Sequence, residues 1–112
     1  MVTPVRGEVW TIAGGGRISS KPRPAVIMTS ELFSSLDHLT VALITTNRAE
    51  SPVRITVEPA ATTGLVETSY IMADKLHTIA RSNLGHRCGT ITSAHLLDLE
   101  RAILVYLGIA GR

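Results

Sequence analysis

With 112 residues, 45% of them hydrophobic and 18% charged, the chain holds enough apolar side chains for one small core and is no disordered tail. A formal net charge of +2 permits contact with a polyanion without demanding it. The single cysteine, Cys88, excludes an internal disulfide and fits a reducing cytoplasm. The N-terminus lacks the apolar segment of a secretion signal, and the longest apolar run, around 103–109, is too short to cross a bilayer. A cytoplasmic protein of one domain, 1–112, is expected.

The first predicted strand is Glu8–Ile12, where Val9, Trp10 and Ile12 favour extended backbone and Gly14, Gly15 and Gly16 then stop it. Residues 25–28 and 41–44 are continuous apolar runs, as strands covered on both faces are. Residues 53–57 alternate apolar and polar, the pattern of a half-exposed antiparallel strand. A turn-rich crossing at 59–64 leads to a fifth strand at 69–73 and a short sixth at 88–91. Short helical turns are expected within 30–36 and 78–84. The chain closes on a helix capped by Thr92 or Ser93, with a core stripe of Leu96, Leu99, Ile103 and Leu107 and a stop at Gly108. Leu97, Leu104 and Val105 lie off that stripe. The fold expected is mainly β with a C-terminal helix, a small SH3-like barrel or curved antiparallel sheet.

The segment Lys21-Pro-Arg-Pro-Ala-Val-Ile27 carries the most chemical information. Pro22 and Pro24 each fix φ, and a residue before proline is driven towards extended geometry, so Arg23 is restrained on both sides. A guanidinium so held loses little entropy on meeting a ligand and offers phosphate a planar fork. The strand at 41–44 ends in Thr45 and Thr46, and strand period two points only one of these hydroxyls to the face of Arg23. Taken singly, the arginine is equally a salt-bridged surface residue and the threonines ordinary strand formers.

Four blocks in order, Arg6-Gly-Glu-Val-Trp10, Lys21-Pro-Arg-Pro-Ala-Val-Ile27, Leu43-Ile-Thr-Thr46 and Ala73-Asp-Lys-Leu-His-Thr-Ile79, resemble the MazF/PemK toxin endoribonucleases of bacterial type II toxin–antitoxin modules. The resemblance implies the MazF/CcdB/PemK fold, with Arg23 and Thr45 as the catalytic pair and Thr46 as the alternative hydroxyl. It implies sequence-specific cleavage of single-stranded RNA to 2′,3′-cyclic phosphate and 5′-hydroxyl ends, inhibiting translation. It implies a homodimer and neutralisation by a cognate antitoxin. The chemistry needs no metal and no cofactor, only proton transfer, charge neutralisation and in-line geometry.

Around that pair, Arg17, Lys21, Asn47 and Arg48 are candidates for contacts with RNA phosphates or base edges. Many relatives carry a carboxylate in the glycine loop; here residues 14–20 contain Arg17, Ser19 and Ser20 and no acid. Asp74 either orients Arg23, accepts a hydrogen bond from a base, or caps a turn. The general base is unassigned, since threonine and arginine are both poor proton acceptors; His77 is the reserve candidate. His86, Cys88 and His95 lack a fourth ligand at zinc spacing. The alternative function is that of a CcdB-like, non-enzymatic gyrase-binding toxin, which has no use for the Arg23–Thr45 pair.

Overall fold

The computed structural model describes residues 3–13, 22–48, 51 and 53–110. Six strands, β1 (Glu8–Ile12), β2 (Arg23–Ile27), β3 (His38–Thr45), β4 (Arg54–Val57), β5 (Ser69–Ala80) and β6 (Leu84–Thr90), precede one helix, α1 (Ser93–Tyr106). All recorded pairings are antiparallel, and the strands form one sheet in the order β4-β5-β3-β2-β1-β6.

Each face of the sheet carries its own core. On one face Val9, Val26, Ala42, Ile44, Val57, Ile71 and Ala73 pack beneath the helix around Leu99, which is fully buried. On the other Trp10, Ile12, Ala25, Ile27, Leu39 and Val41 form a second cluster. Hence the unbroken apolar runs of β2 and β3: successive residues point to opposite faces, and both faces are covered.

Curling of the sheet covers the second face. The 3₁₀ turn Arg81–Asn83 is tied at both ends, Arg81 N–H to the Asp37 carbonyl at 2.7 Å and Ala13 N–H to the Asn83 carbonyl at 2.9 Å. Those bonds bring the end of β5 and the start of β6 together, so that Ile79 and Leu84 share the second cluster. β5 is therefore longer than expected. Thr78 and Ile79, read from sequence as part of a helical turn, continue the strand because both are β-branched and Ile79 has a core to enter. Along the way β5 bulges: Ala42 pairs with Leu76 but Ile44 with Ile71, so two steps along β3 meet five along β5.

Thr92 caps the helix, its hydroxyl accepting the His95 N–H at 3.1 Å. At the other end Gly108 adopts φ +74°, and the Ile109 and Gly108 amides donate to the Leu104 and Val105 carbonyls, a Schellman closure. That closure lies past the sheet, so Leu107, expected in the core stripe, is exposed, whereas Leu96, Leu99 and Ile103 pack as expected. Gly64, at φ +77°, lets the 61–64 turn approach β6 so closely that a Cβ there would stand 2.4 Å from the Cys88 carbonyl oxygen. No helix is long and apolar enough to cross a membrane among the described residues.

Candidate active site

Arg23 opens β2, exposed, with Ile12 of β1 as its partner. The β2–β3 ladder is recorded from Ile27↔Val41 to Ala25↔Leu43 and stops where Pro24 has no N–H to give. Continuing the same register by two residues sets Arg23 opposite Thr45. Thr45 pairs with Tyr70, and Tyr70 with Thr56. A row therefore crosses five strands: Ile12, Arg23, Thr45, Tyr70, Thr56. Paired residues share a face, and Val26, Ile44 and Ile71 belong to the helix-side core, so this row lies on the face away from the helix.

The two threonines differ in placement. Thr45 is the last residue of β3 and half-buried on the face of Arg23, whereas Thr46 lies beyond the strand and is exposed. The Thr45 hydroxyl oxygen accepts the Asn47 N–H at 3.1 Å, which fixes the turn leaving the strand. Among the described residues this hydroxyl donates no hydrogen bond. Asn47 and Arg48 follow on the exposed segment. Among the described residues Arg23 and Arg48 have no carboxylate partner. Arg17 and Lys21 fall outside the described residues.

Two of the expected supporting residues go elsewhere. The Asp74 carboxylate meets Arg54 Nη2 at 3.4 Å rather than Arg23. His77 stands opposite Val41, four residues along β3 from Thr45, about 13 Å at the usual strand rise. The register does not bring it to the Arg23–Thr45 pair. Sequence reasoning passed over Tyr70, Thr56 and Arg54, whose signal was only their position in an alternating strand; cross-strand register is what puts them on this face.

A groove of about 890 Å³ lies on the neighbouring part of the sheet, lined by Trp10, Arg81, Leu84, His86 and Arg87 among others. It adjoins the row through Ile12, the partner of both Arg23 and Leu84, and lies along β6 and the Arg81–Asn83 turn rather than at Arg23. Glu8 organises its rim, accepting from the Trp10 indole at 3.0 Å and pairing with Arg87 at 2.7 Å. Burial alone would raise the Glu8 pKa. Hydrogen bonds from Trp10, the Val5 amide and Arg87, with the Arg87 charge, outweigh it and hold the group below its ordinary 4.5. Burial pushes the Cys88 thiol up, so it is no ready thiolate. No group of three or more His, Cys, Asp or Glu side chains is placed to hold a metal among the described residues.

Comparison with known proteins identifies the family. The PemK-like, MazF-like toxins of type II toxin–antitoxin systems match residues 5–107. The chain belongs to that family. It is 40% identical to a probable endoribonuclease MazF of Mycolicibacterium smegmatis, over 95% of this chain and 98% of the relative. It is 26% identical to endoribonuclease MazF9 of Mycobacterium tuberculosis, over 93% and 96%. Among solved structures it resembles the Mycobacterium tuberculosis toxin MazF-mt6, with a TM-score of 0.79 and 26% identity over 93% of this chain and 99% of that one. A mycobacterial endoribonuclease solved in complex with its cognate antitoxin shares the fold at the same TM-score and 22% identity, covering all of both chains.

Proposed function

We propose that this endoribonuclease toxin cleaves single-stranded RNA at specific sequences by internal transesterification, with Arg23 and Thr45 at the scissile phosphate. Endoribonuclease activity and membership of a toxin–antitoxin system come with the family and with the relative at 40% identity. What supports this site is the register of β2 on β3, which, continued two residues past its last pair Ala25↔Leu43, brings Arg23 opposite Thr45 on the face not used by the helix.

In the reaction, the 2′-hydroxyl of the nucleotide before the scissile bond attacks the adjacent phosphorus. The 2′-O–P bond forms and the P–O5′ bond breaks, leaving a 2′,3′-cyclic phosphate; the 2′ proton is lost and the departing 5′ oxygen gains one. Arg23 neutralises the charge that builds on the non-bridging oxygens, and the Thr45 hydroxyl donates to one of them. Orientation and electrostatics therefore supply most of the rate. One toxin domain does this without metal or cofactor, in the cytoplasm.

The toxin works as a two-fold homodimer and is neutralised by an antitoxin. Exposed Leu97, Leu104 and Val105 on one helix supply the apolar surface for a second copy. An acidic, disordered antitoxin tail laid over the basic stretch from Arg17 to Arg23 would deny RNA the site while folding on binding. Light scattering that returned a monomer at micromolar concentration would count against the dimer.

The test of the reaction is one defined RNA incubated with the protein in EDTA, with product ends identified. Cyclic phosphate and 5′-hydroxyl ends are expected, and a single 2′-deoxy substitution at the cleaved position should stop the reaction. Cleavage of that deoxy substrate, or a strict need for added metal, would overturn the mechanism.

A further inference from the structure

We infer that Arg54 is a second RNA-backbone contact on the catalytic face, held there by Asp74. The inference rests on the Arg23–Thr45 reading of the site. Arg54 opens β4 and pairs with Met72, two residues along from the Thr56–Tyr70 pair that continues the catalytic row. Its neighbours Val53 and Ile55 pack on the helix-side core, so Arg54 points to the face of Thr45. Two strands and two residues separate it from Thr45, about 12 Å across the sheet at ordinary spacings. An arginine and a threonine side chain reaching in from that separation span neighbouring phosphates of one strand.

The state of the pair indicates what it is for. The two side chains are only 13% and 20% exposed, and they meet through a single contact of 3.4 Å. Among the described residues, Arg54 Nε and Asp74 Oδ1 are buried without partners. An ion pair serving only stability would close the fork, setting both guanidinium edges on both carboxylate oxygens. Leaving buried polar atoms unpaired costs stability. Nη1, by contrast, makes no hydrogen bond to the described residues and is not among the buried unpartnered atoms, so it keeps some contact with solvent. Asp74, set in the β5 bulge, thus aims the guanidinium as a positioning residue and leaves its outer edge for an anion.

A run of nucleotides lying across the row from Arg23 towards β4 would then meet two cations, one at the reacting phosphate and one beside it. Arg54 acts on binding and alignment, Arg23 on the transition state.

The experiment uses the full chain and an RNA whose cleavage site has been mapped, made uncleavable by a 2′-deoxy nucleotide there. Binding is measured against salt concentration, alongside single-turnover cleavage of the all-ribose RNA. Arg54→Ala should weaken binding roughly ten- to a hundredfold, and the slope of log affinity against log salt should fall by about 0.7, the value for one phosphate contact on a single strand. Its loss should fall chiefly on affinity, and the Arg23→Ala loss chiefly on rate at saturation. Arg54→Lys should keep the slope and lose part of the affinity, which holds the test open should the alanine variant unfold. Asp74→Asn added to Arg54→Ala should cost little more than Arg54→Ala alone. An unchanged affinity and slope in folded Arg54→Ala overturns the contact; fully additive losses overturn the positioning role of Asp74. If Arg23→Ala instead cleaves like the wild type, the reading of the reacting pair fails, independently of what Arg54 does.

Discussion

The two faces of this sheet use the same strands for different ends. Beneath the helix, Val26, Ala42, Ile44, Ile71 and Leu99 are all at or near zero exposure, and at its margin Arg6 pairs with Glu100 at 2.6 Å. The other face is buried at Ala25, Ile27 and Val41 but opens along the same strands to Arg23 and Thr45. There Arg23 has no carboxylate partner among the described residues, Arg54 and Asp74 meet through a single contact, and a groove opens along β6. The comparison teaches where function resides. A face given over to packing has little left to offer a ligand, whereas one that keeps polar groups open to solvent must be held in place by the other.

The sharpest break between the faces is a pair of substitutions on β2 and β3. Arg23→Ala should cut single-turnover cleavage by on the order of a hundredfold or more, with Arg23→Lys recovering little, since a point charge cannot reproduce the fork. Thr45→Ala should be similarly impaired, Thr46→Ala less so, and Thr45→Ser should recover activity if the hydroxyl matters and the methyl does not. Thermal unfolding of all these variants should stay near wild type. Wild-type rates in both alanine variants would remove the pair as catalytic.

The reverse result is expected on the helical face. Leu99→Ala should lower unfolding free energy by about 2–5 kcal/mol in a urea titration, with cleavage per folded molecule unchanged. A rate loss exceeding the unfolded fraction would show that the two faces are coupled.

Smaller effects refine the picture. Thr92→Ala removes the cap on His95 N–H and should cost about 1 kcal/mol by the same titration. At the groove rim, the depressed pKa of Glu8 means that its carboxylate stabilises the fold fully above the ordinary 4.5 and loses that contribution as pH falls through its lowered value. The Tm gap between wild type and Glu8→Gln should accordingly be widest near neutrality and close in acid; a gap independent of pH would mean that shape and not charge holds the rim.

Much of this was legible before any coordinate. Apolar runs at 25–28 and 41–44 signalled strands covered on both sides because a residue between two packed faces has no polar option. The prolines around Arg23 and the hydroxyls after the apolar strand marked the proposed site because their constraints are local: φ is fixed by the ring, and strand period separates neighbours. The helix, its Thr92 cap and its Gly108 stop followed from short-range rules of the same kind.

Other features depended on what lies across the sheet. The extension of β5 through Ala80 needed a core for Ile79, which only the curl supplies. Asp74, in the β5 bulge, meets Arg54 rather than Arg23, and His77 pairs with Val41, four residues along β3 from Thr45. Arg54 itself, plain in the sequence as a polar residue in an alternating strand, became a candidate for function only when register set it beside Met72 on the face of Thr45. Sequence by itself determined which segments extend and which residues have the right chemistry, since those are properties of a residue and its immediate neighbours. Tertiary structure decided which of them share a face, because register and bulges depend on strands far apart in the chain and one shifted residue exchanges the faces.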